Sequence, residues 1–158
     1  MNAVILCVGK LKEKWQQEGC NEYLKRLTRY GKYEIVQVDD LREPENASAA
    51  QIKQIMDREG KALLARLRPN DRVIAMCIQA RAPDSVELSA LMQKWSQDGR
   101  RNVFIIGGSN GLSGEVLERA DERISFSRLT FPHGLMRVIL LEQLYRGERI
   151  RTGEKYHK

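Results

Sequence analysis

Phe104-Ile105-Ile106-Gly107-Gly108-Ser109-Asn110-Gly111-Leu112 is the stretch on which the reading of this chain turns. Its opening side chains are bulky and apolar, as a strand buried on both faces requires. The glycines that follow allow positive φ and leave no Cβ between the backbone and a ligand. A helical stretch is expected next, from about residue 114 to 120. Strand, glycine-rich turn and helix in that order are the unit from which parallel sheets with flanking helices are built. Neither a Gly-Lys-Ser/Thr ending nor the Gly-x-Gly-x-x-Gly spacing is present, which excludes a P-loop and a dinucleotide fingerprint. Taken alone, such a turn is also an ordinary tight connection.

The same alternation continues on both sides. Residues 3–8 form a short apolar run rich in β-branched side chains that ends at Gly9, and residues 33–38, 72–78, 103–106 and 123–125 read as further strands. Between them, residues 13–30 carry Tyr23, Leu24, Leu27 and Tyr30 at helical spacing, with Gly31 as the stop. Ile52, Ile55, Met56, Leu63, Leu64 and Leu67 mark a second helix, and Asp84-Ser85 starts a third whose Leu88, Leu91, Met92 and Trp95 fall at i, i+3, i+4 and i+7. Residues 39–48, acidic and interrupted by Pro44, form a loop longer than the usual ~4–6 residues. The expected fold is therefore α/β: one domain over residues 1–158, with a mainly parallel sheet, helices on both faces, and ligands bound beyond the carboxyl ends of the strands. Residues 147–158 read as a basic C-terminal tail.

The last helix, roughly residues 134–147, is apolar around nearly its whole circumference, through Leu135, Met136, Val138, Ile139, Leu140, Leu141, Leu144 and Tyr145. One sheet face cannot bury that much surface, so a second copy of the chain is expected to cover the rest, giving a homodimer.

Lys and Arg outnumber Asp and Glu by 27 to 21, a net charge of +6, which favours a polyanionic partner. Toward the end of the chain, Arg146, Arg149, Arg151, Lys155 and Lys158 face only Glu148 and Glu154. A solvated tail explains such a run most simply, but Tyr156 and His157 among those charges could also stack on a base and meet phosphates. Cys7, Cys20 and Cys77 show no Cys-x-x-Cys spacing and are read as buried thiols, so no metal site is expected. No stretch approaches the ~20 apolar residues that cross a bilayer, and the start lacks the pattern of a secretory leader. A cytoplasmic protein is expected.

A second constellation runs from Ser125 through Phe126, Ser127, Arg128, Leu129, Thr130, Phe131, Pro132 and His133 to Arg137. Small hydroxyl residues alternate with apolar ones ahead of a helix-starting proline, which suits an ordered loop whose backbone grips a polar ligand against an apolar wall. His133 at the helix start would be held neutral by the helix dipole, able to accept a proton; a plain capping or surface role is the alternative.

Leu129-Thr130-Phe131-Pro132-His133, Arg137-Val138, Glu142-Gln143-Leu144-Tyr145-Arg146, Ile105-Ile106-Gly107-Gly108, Val8-Gly9-Lys10 and Tyr156-His157 occur here in one order over essentially the whole chain. Together they resemble the RlmH family, small bacterial SPOUT-class methyltransferases that modify N3 of a pseudouridine in 23S ribosomal RNA. The resemblance implies a deep trefoil knot near the C-terminus that holds S-adenosylmethionine. It implies cofactor contacts from Met76, Gly107, Phe126, Ser127, Arg128, Leu129, Thr130 and Phe131. Dimerisation would run through the apolar last helix, and Arg137, Arg146 and Lys158 would contact RNA. Three positions depart from the family pattern: Met76 stands where Leu is frequent, Gly147 where Ala is usual, and Lys158 where some members have Arg.

Methyl transfer to an imide nitrogen requires removal of its proton, for which His133, Tyr156 and His157 are the candidates, the last two reaching across a two-fold axis from the partner subunit. With no added RNA-binding domain, specificity would rest on the ribosomal context rather than on free RNA. Two other classes would also account for parts of the pattern: a non-catalytic ribosome- or RNA-binding module, and a small domain binding another nucleotide.

Overall fold

Every residue of β1 (Ala3–Val8) is buried, with Ala3, Ile5 and Cys7 facing one layer of helices and Val4, Leu6 and Val8 the other. A strand covered on both sides reads as a continuous apolar run, and β1 lies inside the sheet, between β2 and β4. The computed structural model describes residues 1–158. After β1 come α1 (Lys14–Leu27), β2 (Tyr33–Val38), α2 (Ala49–Leu64), β3 (Arg72–Arg81), α3 (Ser85–Trp95), β4 (Asn102–Ile106), α4 (Gly114–Arg119), β5 (Glu122–Ile124) and α5 (His133–Arg151). The five strands are parallel throughout and stand in the order β2-β1-β4-β3-β5. On one face, α1, α3 and α5 enclose Phe104, Ile74, Trp95, Leu140 and Leu144; on the other, α2 and α4 cover Val73, Ile105, Leu63 and Val116.

Local chemistry sets the helix starts. Ser48 accepts from the Gln51 amide at 3.2 Å while the Gln51 side chain accepts from the Ser48 amide at 2.8 Å, and Asp84 and Glu87 form the same reciprocal box ahead of α3.

Two elements outrun their sequence signals. β3 continues past Ile78 to Arg81 through an irregularity: Met76 and Arg81 both register with Ile124, and the residues between them form a lip with Ile78 and Gln79 exposed. The last helix does not stop at Gly147. A Cβ there would lie 2.4 Å from Met92 Sδ, so the glycine is a close-approach point against α3. Ser89 Oγ donates to the Gly147 carbonyl at 2.8 Å. At the next residue, the fully buried Glu148 accepts from the Met1 ammonium at 3.0 Å, from the Tyr33 hydroxyl at 2.5 Å and from Arg151. A buried carboxylate satisfied in this way holds the helix in register to Arg151, and the non-helical end begins only at Thr152.

Part of the apolar circumference of α5 is covered within the chain. α1 and α3 of the same chain flank it and bury Leu140, Leu141, Leu144 and Tyr145. Leu135, Met136, Val138, Ile139 and Ile150 stay half-buried. No helix is long and apolar enough to cross a membrane.

Candidate active site

The irregular outer part of β3 and the two loops that leave β4 and β5 enclose a cleft of about 1040 Å³. It lies where ligands bind to parallel α/β sheets. The turn after β4 forms its floor. Gly107 is buried, and a Cβ on it would lie 2.6 Å from the Gly111 carbonyl. The Gly111 amide in turn donates to the Gly108 carbonyl at 3.1 Å, with Gly111 at φ +86°. Any side chain at 107 would force this turn open, whereas its bare backbone presents peptide groups to the cleft.

The loop between β5 and α5 is shaped by its serines. Ser125 Oγ donates to the Ser127 carbonyl at 2.8 Å, and Ser127 Oγ accepts from the Leu129 amide at 2.9 Å. These local bonds explain the alternation of hydroxyl and apolar residues: the hydroxyls bend the backbone, and the residues between them point elsewhere. Phe126 packs against the core formed with α1, α3 and α5, while Leu129 is 70% exposed at the mouth. An apolar side chain that far out is unsatisfied by the chain itself.

Met76, Gly107, Phe126, Ser127, Leu129, Thr130, Phe131 and His133 all line the cleft. Arg128 does not; its side chain is exposed. The cleft also includes Ile78, Gln79, Asn110, Arg123 and Met136, which the sequence reading did not single out. Ile78 carried a usable signal, an apolar residue at the exposed end of a strand. Asn110 sits inside the glycine turn itself. Nothing in sequence spacing brings Arg123 or Met136 here.

His133 opens α5 half-buried, and desolvation holds its imidazole below the ordinary value, with Arg137 and Lys12 acting in the same direction and Asp40 against them. A shift in that direction favours the neutral imidazole. Cys77 is half-buried on the wall, and Cys7 is deep in the core with its thiol pushed up to about 12 by burial. No group of His, Cys, Asp and Glu side chains is placed to hold a metal ion.

Arg137 was expected at an RNA surface, and the structure corrects this. It is fully buried, and its Nη2 donates to the carbonyls of Val8 and Gly9 at 2.7 and 2.9 Å. Arg146 is half-buried, paired with Glu142 at 2.5 Å and lying over the Tyr156 ring at 4.7 Å. Tyr156 packs edge-on against Tyr145 at 5.0 Å and donates to Glu142 Oε1 at 3.1 Å, its hydroxyl pushed up to about 12 by burial. His157 and Lys158 are exposed. None of Tyr156, His157 and Lys158 reaches the cleft of its own chain.

A family profile described as "Predicted SPOUT methyltransferase" matches residues 1–157. Two similar proteins, each named "Ribosomal RNA large subunit methyltransferase H", come from Clostridioides difficile (strain 630) and Listeria welshimeri. They are 50% and 51% identical to this chain, with all of each chain covered. In overall shape the chain is similar to a probable methylase family protein from Haemophilus influenzae Rd KW20, with TM-score 0.55, 11% identity, and 99% of this chain and 70% of that one covered. That last likeness concerns the fold alone.

Proposed function

Because the chain belongs to the SPOUT methyltransferase family, we propose that it transfers a methyl group from S-adenosylmethionine to N3 of a pseudouridine in 23S ribosomal RNA, acting in the cytoplasm on the assembled ribosome. The observation that carries this reading is the convergence of Gly107 and the 125–131 loop on one cleft at the carboxyl ends of the strands. The names of the full-length relatives support the ribosomal substrate.

The cleft suits an adenosyl donor: the Gly107 turn has no room for a Cβ, so its backbone meets the ligand directly, and Met76, Phe126 and Phe131 supply apolar walls. When bound, that donor supplies an electrophilic methyl on a sulfonium, with a neutral thioether as leaving group. The protein's task is then to orient the acceptor and remove its proton. A neutral imide nitrogen has no free lone pair, so the proton at N3 must pass to a base, and the neutral His133 imidazole at the cleft wall is suited to take it. Arg128, exposed and outside the cleft lining, would contact the donor as the family pattern implies.

The reading includes the family's deep trefoil knot, to which the chain's passage from β5 through the 125–132 loop into α5 would belong, and a homodimer packed on the half-buried side of α5. Since Tyr156, His157 and Lys158 lie away from their own cleft, they would serve the partner's: Tyr156 and His157 in proton removal, Lys158 and Arg146 in holding RNA phosphates.

Mass spectrometry of 23S rRNA from cells with and without the gene tests the reading. One methyl on one pseudouridine should vanish with the gene; unchanged rRNA would refute the enzyme and leave a binding module in its place. Calorimetric titration should show S-adenosylmethionine binding with ATP, NAD and FMN giving no heat, and the reverse preference would assign the cleft to another nucleotide.

A further inference from the structure

Glu59 on α2 is 6% exposed, forms no ion pair, and lies behind the glycine turn rather than in the cleft. A carboxylate buried without a cation is costly, so its contacts define what it is for. Its Oε1 accepts from the Leu41 amide at 3.1 Å, at the start of the 39–48 loop. Its Oε2 is seated against the turn on the other side, where a Cβ on Gly108 would come within 2.9 Å of it. The next residue continues the contact: a Cβ on Gly60 would lie 2.2 Å from Ser113 Oγ, the hydroxyl that caps α4. Helix α2 therefore bears on both ends of the segment 107–113 through two consecutive residues. A second tie lies farther out, where Asn110 Nδ2 donates to Glu43 Oε2 at 2.6 Å.

We infer that Glu59 is a positioning residue that fastens the 39–48 loop to the 107–111 turn, so that ordering of the donor pocket and ordering of that loop rise together. The inference rests on the reading of the cleft as the donor site. The Glu43–Asn110 bond is solvent-exposed and easily exchanged for water. The Glu59 contacts are less open to solvent, and that makes them the stronger coupling.

Hydrogen–deuterium exchange followed by mass spectrometry on the full chain tests this. Without ligand, Glu59→Ala should speed exchange by about tenfold in both 39–43 and 107–111. Glu59→Gln keeps an oxygen for the Leu41 amide and should restore both segments to near the unmodified rates. Loosening of 39–43 with 107–111 unchanged, or uniform loosening of the whole chain, would overturn the inference. Saturating S-adenosylmethionine should protect both segments in the unmodified protein and in Glu43→Ala, which alters only an exposed side chain. Loss of the 39–43 protection in Glu43→Ala would assign the coupling to the outer bond and overturn the role of Glu59. Absence of any protection at 107–111 in the unmodified protein would instead refute the donor-site reading, while the ligand-free comparison would still decide the link itself.

Discussion

The buried Arg137 guanidinium donates to the carbonyl of Val8 at 2.7 Å, tying the last helix to the carboxyl end of the first strand across a separation of 129 residues. Gly9 accepts from the same nitrogen at 2.9 Å. The corner where the chain leaves β1 beside His133 is therefore held by one side chain.

Replacement of Arg137 by Ala removes both charge-assisted bonds and leaves two buried carbonyls without their partner. A loss of about 1–3 kcal/mol in unfolding free energy is expected, read from urea denaturation. A variant with unchanged stability but weakened RNA binding would restore the surface role that burial argues against.

The depressed pKa of His133 has a defined sign. The folded imidazole takes up a proton less readily than the unfolded one, so between the two values the unfolded state binds more protons. Its contribution to stability is full above the ordinary histidine value of about 6.5 and is lost as pH falls through it toward the lower folded value. Thermal denaturation across that range should show His133→Gln losing less stability on acidification than the unmodified protein. Parallel pH curves for the two would remove the imidazole from this role. In turnover, the acid limb of kcat/KM should follow the same group and vanish with it.

If the tail completes the partner's cleft, two inactive variants should complement. Gly107→Ala forces the donor turn open and spoils the pocket, and a double Tyr156→Ala, His157→Ala variant removes the candidate groups of the tail while leaving donor affinity nearly unaltered. Mixed and re-equilibrated, they should regain roughly a quarter of full activity, since random pairing makes half the dimers mixed and each of those carries one intact cleft. A mixture as inactive as its components would place the tail's function within its own chain or outside catalysis.

The elements of this fold were legible because their signals are local. A buried strand must be apolar on both sides, as residues 3–8 are, and the capping boxes at Ser48 and Asp84 are complete within four residues. Most of the cleft was legible for a related reason: Gly107 and the serine-bent loop after β5 are ordered by bonds to their own neighbours. Where a glycine has two meanings, local reading failed. Gly147 looked like a helix stop but is a contact with Met92, a residue from another helix.

What the sequence by itself determined is the order of strands and helices, the glycine turn, and the loop that would grip a ligand, since each follows from periodicity and short-range hydrogen bonding. Only the tertiary structure decided the strand order, the use of α1 and α3 to cover α5, and which charges remain free. Arg137, Glu59 and Glu148 look like surface residues in a list of letters, yet each is buried. A charge can be placed in the interior only when distant backbone or side-chain groups arrive to replace its water, and those groups meet it only once the whole chain has folded.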